Sequence, residues 1–293
     1  MIQQSKKYRI LDDGRVLVDY GPIIMSIASK NQKNSNIKAS LIGAEKAIET
    51  LNNLVEYLEI AKQRISGIDM EKYNEYPDVL KLLIESVKCL HNNEFTPMAA
   101  VAGTFSDIVM GEILKNFDVD SVVINNGGDI AFSKSDKDGV FNVGVINDIT
   151  SRKITHRLSI KNNSDIKGIA TSGFGGRSLT KGIASAVTVM AESCRLADAA
   201  ATEIANNTYI ESNTVETCLA EEIDYDTDIK GTTVVNKVGK LNKEEVEKSI
   251  NLGINKAKEL YDRKMIKGAI IFVQNEFDYY PKDSLYFNID KKL

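Results

Sequence analysis

The segment from Lys167 to Asn207 limits the fold of this chain more than any other part of the sequence. It begins with a short apolar run, Ile169–Thr171, and returns through a β-branched run, Ala186–Val189. Between them lies a loop with three glycines in four positions, Gly173, Gly175 and Gly176. Glycine accepts positive φ and has no Cβ, so the amides of such a loop can face an anion. We therefore predict two buried strands joined by an anion-binding loop.

An alanine-rich helix is predicted to follow, from Leu196 to Asn206. Asp198 and Thr202 are four residues apart and so share one face of this helix. A carboxylate next to a hydroxyl suits Mg²⁺, which takes oxygen ligands and keeps waters or substrate phosphates for the rest. The alternative is structural, because an Asp in the first turn also interacts favourably with the positive end of the helix dipole.

A second candidate ligand contact follows a short strand at residues 121–124. Gly127, Gly128 and Asp129 place backbone amides and a carboxylate at the end of that strand. Ligands often bind at strand ends in proteins that mix helices and strands. A tight turn without a ligand is the other interpretation.

Composition excludes several classes of function. The formal charge is −4 with no basic stripe, which argues against nucleic acid as a partner. No apolar run approaches the roughly 20 residues of a membrane span, and the first residues lack a signal-peptide core. We expect a cytoplasmic protein. The cysteines, Cys89, Cys194 and Cys218, are too far apart in sequence to suggest a zinc site or a disulfide framework, and Cys194 is expected to be a packed thiol.

Apolar spacing predicts the remaining elements. Tyr8 to Tyr20 should form a hairpin, and strands are expected at 23–28, 141–147, 154–160 and 268–273. Helices are expected at 37–65, at 77–90, from Thr96 onward and at 243–263. Helices and strands do not alternate regularly, which favours an α+β fold over a doubly wound sheet. We expect one domain, 1–293, with a flexible tail at 281–293.

Four segments in order resemble the ApbE-like superfamily, most closely its small uncharacterised branch without a lipoprotein signal. They are Pro97–Gly103, Asn125–Ile130, Ala170–Gly173 and Leu196–Thr202. The resemblance covers essentially the whole chain. It implies an ApbE-like fold with two intertwined α/β halves, in which mixed sheets are packed by helices.

The resemblance also implies an activity and a site. ApbE proteins are Mg²⁺-dependent flavin transferases that cleave FAD and attach FMN to a Ser or Thr of a target protein. By position, the nucleotide site here would include Gly127, Gly128, Asp129, Thr171, Ser172 and Gly173. The metal ligands would be Asp198, Thr202 and the backbone carbonyl near Ala102.

This chain departs from the family pattern at two places. A histidine-containing segment is expected after the Thr-Ser-Gly strand, yet residues 174–182 contain no histidine, and Gly103 replaces the usual lysine. Arg177 and Lys181 stand in that interval instead and are the candidate catalytic residues. Both are placed to meet a phosphate or carboxylate, although surface salt bridges would explain them equally well.

Two functions stay open at this point. The first is a metal-assisted transferase or hydrolase acting on FAD, another flavin nucleotide or another small anionic substrate. The second is a binding or accessory protein that kept the cleft and works beside a protein partner, for example in anaerobic sulfur and homocysteine metabolism. The missing histidine favours the second function, and the Asp198 and Thr202 pair favours the first. A homodimer is one of several open oligomeric states.

Overall fold

The computed structural model of the protein describes residues 7–151 and 153–291. The helices there are α1 (Ile37–Val55), α2 (Leu58–Ala61), α3 (Asp78–Lys88), α4 (Val101–Asn116), α5 (Cys194–Asn206), α6 (Ala220–Ile223) and α7 (Lys243–Asp262), with short 3-10 turns at Ile65–Gly67, Met70–Glu75 and Pro97–Ala100. The strands are β1 (Tyr8–Ile10), β2 (Val16–Tyr20), β3 (Ile23–Asn31), β4 (Asn34–Ser35), β5 (Ser121–Asn126), β6 (Asp129–Lys134), β7 (Val140–Ile146), β8 (Ile154–Lys161), β9 (Gly168–Ser172), β10 (Ala186–Ala191), β11 (Val215–Leu219), β12 (Thr233–Val238), β13 (Gly268–Val273), β14 (Glu276–Tyr280) and β15 (Phe287–Lys291).

Ten strands form one large sheet in the order β1-β2-β3-β5-β6-β9-β10-β13-β14, with β4 paired to β3. Every strand pair among the described residues is antiparallel. The ladder between β6 and β9 is short and contains only the pairs Ile130 with Ile169 and Ala131 with Gly168. The large sheet therefore consists of two longer runs of strands that meet along this short ladder.

The large sheet is covered on both faces. Val187 and Val189 of β10 pack with the helices, whereas Ala186 and Met190 of the same strand belong to a second apolar cluster. That alternation is the two-residue period of a strand. The second cluster lies between the large sheet and a three-stranded sheet of order β15-β8-β7. Burial on both faces explains why β10 and β13 are almost continuous apolar runs.

The helix α4 packs against α1 and α5 and against strands β5 and β6. By length and apolar composition alone, the helical segment Pro97–Asn116 could cross a membrane, and it is the one such segment in the described part of the chain. Gly43 of α1 lies directly against Ile113 of α4, where an added Cβ would stand 2.7 Å from the Ile113 side chain. These contacts account for its apolar composition as that of a core helix.

The α+β class predicted from the sequence is confirmed, with several antiparallel sheets packed by helices. Three segments differ locally from expectation. The long helix predicted at 37–65 ends at Val55 and continues only as the single turn α2. The strand predicted at 23–28 extends to Asn31 as β3 and forms a hairpin with β4. The tail at 281–293 contributes β15, because Phe287 is buried and pairs with Ile160 of β8; residues 292–293 lie outside the described part.

Candidate functional site

The predicted ligand segments meet at one edge of the large sheet. Antiparallel pairing from β3 through β5, β6 and β9 to β10 brings the ends of β5 and β9 to the same edge as the starts of β3, β6 and β10. The Gly127–Gly128 turn and the loop after Ser172 therefore lie side by side. This arrangement is the one expected if ligands bind at strand ends.

The Gly127–Gly128 turn is a two-residue hairpin connection between β5 and β6. Both glycines have positive φ, 69° and 116°, which is the reason that glycine occupies both positions. Asn126 and Asp129 flank the turn as a directly opposed pair, so their side chains lie on the same face of the sheet. The amide of Gly128 donates a 3.0 Å hydrogen bond to the side-chain oxygen of Asn125, so this turn holds its shape by itself.

The glycine-rich loop after β9 is also partly closed on itself. Gly173 and Gly175 have φ of 148° and 83°, respectively. The amide of Gly176 donates to the carbonyl of Gly173 at 3.2 Å, and the amide of Phe174 donates to the carbonyl of Ala184 at 2.8 Å. An added Cβ on Gly175 would collide with Thr150, so the 148–151 loop covers this side of the glycine loop. Close packing is thus a second reason for these glycines, beside ligand binding.

Arg177 and Lys181 are four residues apart in sequence and make different contacts. Arg177 is exposed, and its Nη1 donates to the carbonyl of Pro22 at 3.4 Å. Its Nη2 lies over the β5–β6 turn, 2.8 Å from the point where a Cβ of Gly127 would stand. The amide of Lys181 instead donates to Asn206 Oδ1 at 2.9 Å, at the far end of α5. The structure brings the Arg177 guanidinium to the sheet edge and holds the Lys181 backbone at the far end of α5.

Asp129 is buried beneath this turn. Its Oδ1 accepts a 3.2 Å hydrogen bond from the amide of Thr171, which links β6 to β9. Burial raises the pKa of Asp129 to about 7, and the Thr171 amide and the Arg177 charge counteract only part of that rise. The hydroxyl of Thr171 bonds to that of Thr188 at 2.9 Å. Ser172 is half-buried at the end of β9, next to the glycine loop.

Asp198 lies one helix turn before Thr202 on α5, as the sequence predicts. Its Oδ2 accepts a 2.9 Å hydrogen bond from the amide of Gly103, in the first turn of α4. Burial, followed by the charge of Asp129, raises the pKa of Asp198 well above its usual range, and the Gly103 and Ala102 amides oppose that rise. Asp198 is therefore both a cap of α4 and a candidate metal ligand, and its metal role stays a prediction.

Gly103 stands where the resemblance to ApbE proteins leads us to expect lysine, and the structure gives a physical reason for a glycine there. A Cβ on Gly103 would collide with the carbonyl oxygen of Cys194 and would stand 2.8 Å from the Cβ of Asp198. The two helices approach so closely at this point that no side chain fits between them. A lysine would require a different spacing of α4 and α5.

Two residues of the site were not predicted as functional from the sequence. Asp107 on α4 accepts hydrogen bonds from the amides of Cys194 and Arg195 at the start of α5, both at 2.9 Å. Burial raises the pKa of Asp107 to about 6, although those two amides and the Arg195 charge oppose the rise. Cys194, predicted to be a packed thiol, is fully buried, and burial raises its pKa as well.

The second unpredicted residue is Asn126, at the end of β5. Its Nδ2 donates to the carbonyl of Ala102 at 3.2 Å, and the hydroxyl of Ser106 donates to the same carbonyl at 3.2 Å. Asn126 is only 5% exposed, and its Oδ1 has no hydrogen-bond partner among residues 7–151 and 153–291. The sequence signal was an asparagine flanking a two-glycine turn, which by itself indicates only a hairpin.

The donor set of the site suits a hard cation. Carboxylate oxygens of Asp129 and Asp198, the hydroxyl of Thr202 and the partnerless amide oxygen of Asn126 are all ligands that Mg²⁺ accepts. No cluster of three His, Cys, Asp or Glu side chains within 7–151 and 153–291 forms a complete metal site. A cation here would therefore also depend on neutral oxygens, waters or a bound phosphate.

Comparison with known proteins gives one family and several relatives. A model of the family described as AbpE bacteria matches residues 8–279. A UPF0280 protein of Methanococcus vannielii is 36% identical over 176 residues, which cover 59% of this chain and 69% of the relative. A UPF0280 protein of Methanococcus maripaludis is 34% identical over 179 residues, with 59% and 70% covered.

Two solved structures have a distant similarity to this chain. One is the apo flavinyl transferase ApbE of Pseudomonas stutzeri, 14% identical, with a TM-score of 0.38 over 87% of this chain and 89% of that one. The other is a variant of the flavin transferase ApbE of Vibrio cholerae, also 14% identical, with a TM-score of 0.33 over 86% of this chain and 76% of that one. Neither score is high enough to bear on fold or function.

Proposed function

This chain belongs to the AbpE bacteria family, and we propose that it is a Mg²⁺-dependent transferase or hydrolase acting on FAD, another flavin nucleotide or another small anionic substrate. One observation carries the proposal: Arg177 and the carboxylates of Asp129 and Asp198 gather around the Gly127–Gly128 turn and the first turn of α4. A guanidinium binds phosphate oxygens, and buried carboxylates suit a hard cation. A phosphate-bearing ligand would contact the guanidinium, and the cation bound to that ligand would contact the carboxylates.

Each residue has a distinct part in this proposal. Arg177 would orient the phosphates, while Asp198 and Thr202 would hold the cation one helix turn apart. A bound Mg²⁺ supplies neutralisation of the phosphate charge during transfer. The protein contributes positioning, since the α4–α5 contact at Gly103 fixes the carboxylate of Asp198 relative to the sheet edge. Lys181 as a second cationic group stays a prediction.

One observation favours the accessory alternative. The two histidines of the chain are His91 and His156. His91 follows α3 with a left-handed φ of 59°, and His156 is buried in the layer opposite the helices, against Phe272 and Phe277. An imidazole base is therefore not available at the sheet edge. A protein that binds the anion beside a protein partner needs no such base.

The test is calorimetric titration of the full chain with FAD, FMN and ADP, each with and without Mg²⁺. The enzyme proposal expects FAD binding that requires Mg²⁺, followed by release of FMN or its transfer to an acceptor, detected by chromatography and mass spectrometry. Mg²⁺-dependent binding without product would support the accessory alternative. No binding of any of the three nucleotides would overturn the proposal that a flavin nucleotide is the ligand.

Three further statements are also proposals: that the protein is cytoplasmic, that it has no nucleic-acid or membrane partner, and that it could form a homodimer.

A further inference from the structure

We propose that the side-chain oxygen of Asn126 is a direct ligand of the divalent cation, so that Asn126, Asp129 and Asp198 together hold it beneath the β5–β6 turn. The inference rests on the proposed function, because it locates the cation of that site. It adds Asn126 and Asp129 to the metal ligands predicted from the sequence. The cation would then lie nearer to the large sheet than a cation held by Asp198 and Thr202 alone.

The orientation of the Asn126 amide follows from its partner. A backbone carbonyl can only accept a hydrogen bond, so the atom 3.2 Å from the Ala102 oxygen must be the NH₂ group. The other end of the amide, Oδ1, is then left without a donor in a buried position. A buried polar atom without a partner is rare and destabilising, which indicates that a ligand or an ion binds there.

Two buried acidic side chains, those of Asp129 and Asp198, approach the same part of the site as this amide. Asn126 and Asp129 are opposed across the hairpin and share one face. On that face lies the first turn of α4, where the Asn126 amide meets Ala102 and the next residue, Gly103, binds Asp198. The Asp129 and Asp198 carboxylates are close enough for the charge of one to disfavour ionisation of the other. A buried amide oxygen in the same region as two acidic side chains suits a cation rather than an anion.

Other occupants fit the same atoms less well. The carbonyl of Ala102 accepts from the Asn126 amide, and the single hydroxyl hydrogen of Ser106 is shared between this carbonyl and that of Asp129, each at 3.2 Å. The role of the Ala102 carbonyl as a metal ligand stays a prediction. A water at Asn126 Oδ1 would satisfy that oxygen but, unlike a cation, would not favour the ionised form of the two carboxyls, whose pKa values burial raises. A hard cation that keeps some of its own waters satisfies both, which is the ordinary behaviour of Mg²⁺ in proteins.

The experiment measures Mn²⁺ binding to the full chain without nucleotide, by electron paramagnetic resonance of free Mn²⁺ and by calorimetry. Asn126→Leu removes the oxygen at similar size and is expected to weaken binding about tenfold or more. Asn126→Asp keeps an oxygen, adds charge and is expected to bind Mn²⁺ at least as tightly as the wild type. Asn162→Leu is the matched control, because Asn162 also donates to a backbone carbonyl, that of Asp136, and also has a partnerless Oδ1.

The outcomes separate this inference from the proposed function. Equal Mn²⁺ binding by wild type and Asn126→Leu, or no Mn²⁺ binding by the wild type, would overturn the ligand role of Asn126. If Asn126→Leu fails to fold by circular dichroism, Asn126→Asp decides: affinity equal to or above that of the wild type supports the proposal, and weaker binding overturns it. FAD binding with Mg²⁺ is scored separately, so either result can fail alone.

Discussion

Asp107 and Asp198 each cap the helix that carries the other. Asp107 on α4 accepts from the first two amides of α5, and Asp198 on α5 accepts from the Gly103 amide in the first turn of α4. Helix N-termini leave amides without intrahelical partners and carry a partial positive charge, so each carboxylate stabilises the opposite helix. Ser193 completes the cap of α5 through the Leu196 amide at 3.4 Å. This reciprocal capping fixes the crossing of the two helices beside the site.

Asp107 is expected to make the stability of the fold depend on pH. Its pKa is raised from 3.8 to about 6 on folding, so the folded state binds more protons than the unfolded state within this window. Stability from this group is therefore present below the unfolded pKa and is lost as pH rises through 6. At roughly 1.4 kcal/mol for each unit of pKa, the loss is about 3 kcal/mol.

The Asp107→Asn variant keeps one acceptor and removes the titration. Urea unfolding of both proteins between pH 4 and 8 should show the wild type losing stability relative to the variant as pH rises. Cys194, Arg195 and Asp198 also face this carboxylate and are present in both proteins. Parallel pH profiles would contradict the assignment.

Gly103 is expected to tolerate no side chain. In Gly103→Ala the new methyl would collide with the Cys194 carbonyl and force α4 and α5 apart, at a cost of about 1–3 kcal/mol in the free energy of unfolding. Gly111→Ala is the control on the same helix, because nothing lies within 4 Å of its added Cβ. That control should gain up to about 1 kcal/mol from the higher helix propensity of alanine. Equal effects of the two substitutions in urea unfolding would refute the close approach.

Arg177 is expected to bind the anion without stabilising the fold. Its side chain is exposed, so Arg177→Ala should unfold within about 0.5 kcal/mol of the wild type. Losing a charge-assisted contact to phosphate should weaken FAD binding at least about tenfold in calorimetry. Arg157→Ala removes an exposed arginine from β8 in the three-stranded sheet and should bind FAD as the wild type does. Weakened binding in both variants would indicate a general charge effect instead.

His156 is expected to make the protein less stable in acid. Burial, together with the charge of Lys291, lowers its pKa below 6.5, so the unfolded state binds the proton more readily as pH falls. The stability associated with this neutral side chain is present above pH 6.5 and is lost below it. His156→Leu removes the titration and the partnerless Nε2. Its melting temperature should fall less between pH 7 and 5 than that of the wild type, and an equal fall would reject the explanation.

The sequence was sufficient for the fold class and for the sheet edge. The apolar runs at 121–124, 169–171 and 186–189 are strands, and the glycine segments at their ends meet because neighbouring strands are antiparallel. Those features depend on local periodicity and on turn chemistry, which a single sequence contains. Arg177 falls at this edge for the same reason.

The sequence was not sufficient for contacts made across space. Asp107 lies 87 residues from Cys194, whose amide it caps, and nothing in the local pattern around either residue marks the pairing. Lys181 follows Arg177 by four positions, yet the Asn206 side chain holds it at the other end of α5. In both cases tertiary hydrogen bonds, rather than sequence spacing, determine where the residue lies.

The short ladder between β6 and β9 links ligand binding at Asp129 to the pairing of two strands. Two residue pairs and the 2.9 Å bond from Phe132 to Lys167 hold the two runs of the large sheet together, and the Thr171 amide bond to Asp129 lies at their open end. A ligand that binds the Asp129 carboxylate will either weaken or strengthen the hydrogen bond from the Thr171 amide, which is the last bond between the two runs of strands. The rate at which the Thr171 amide hydrogen exchanges with solvent should therefore change when a ligand occupies the site around Asp129. This rate can be measured before the ligand is identified.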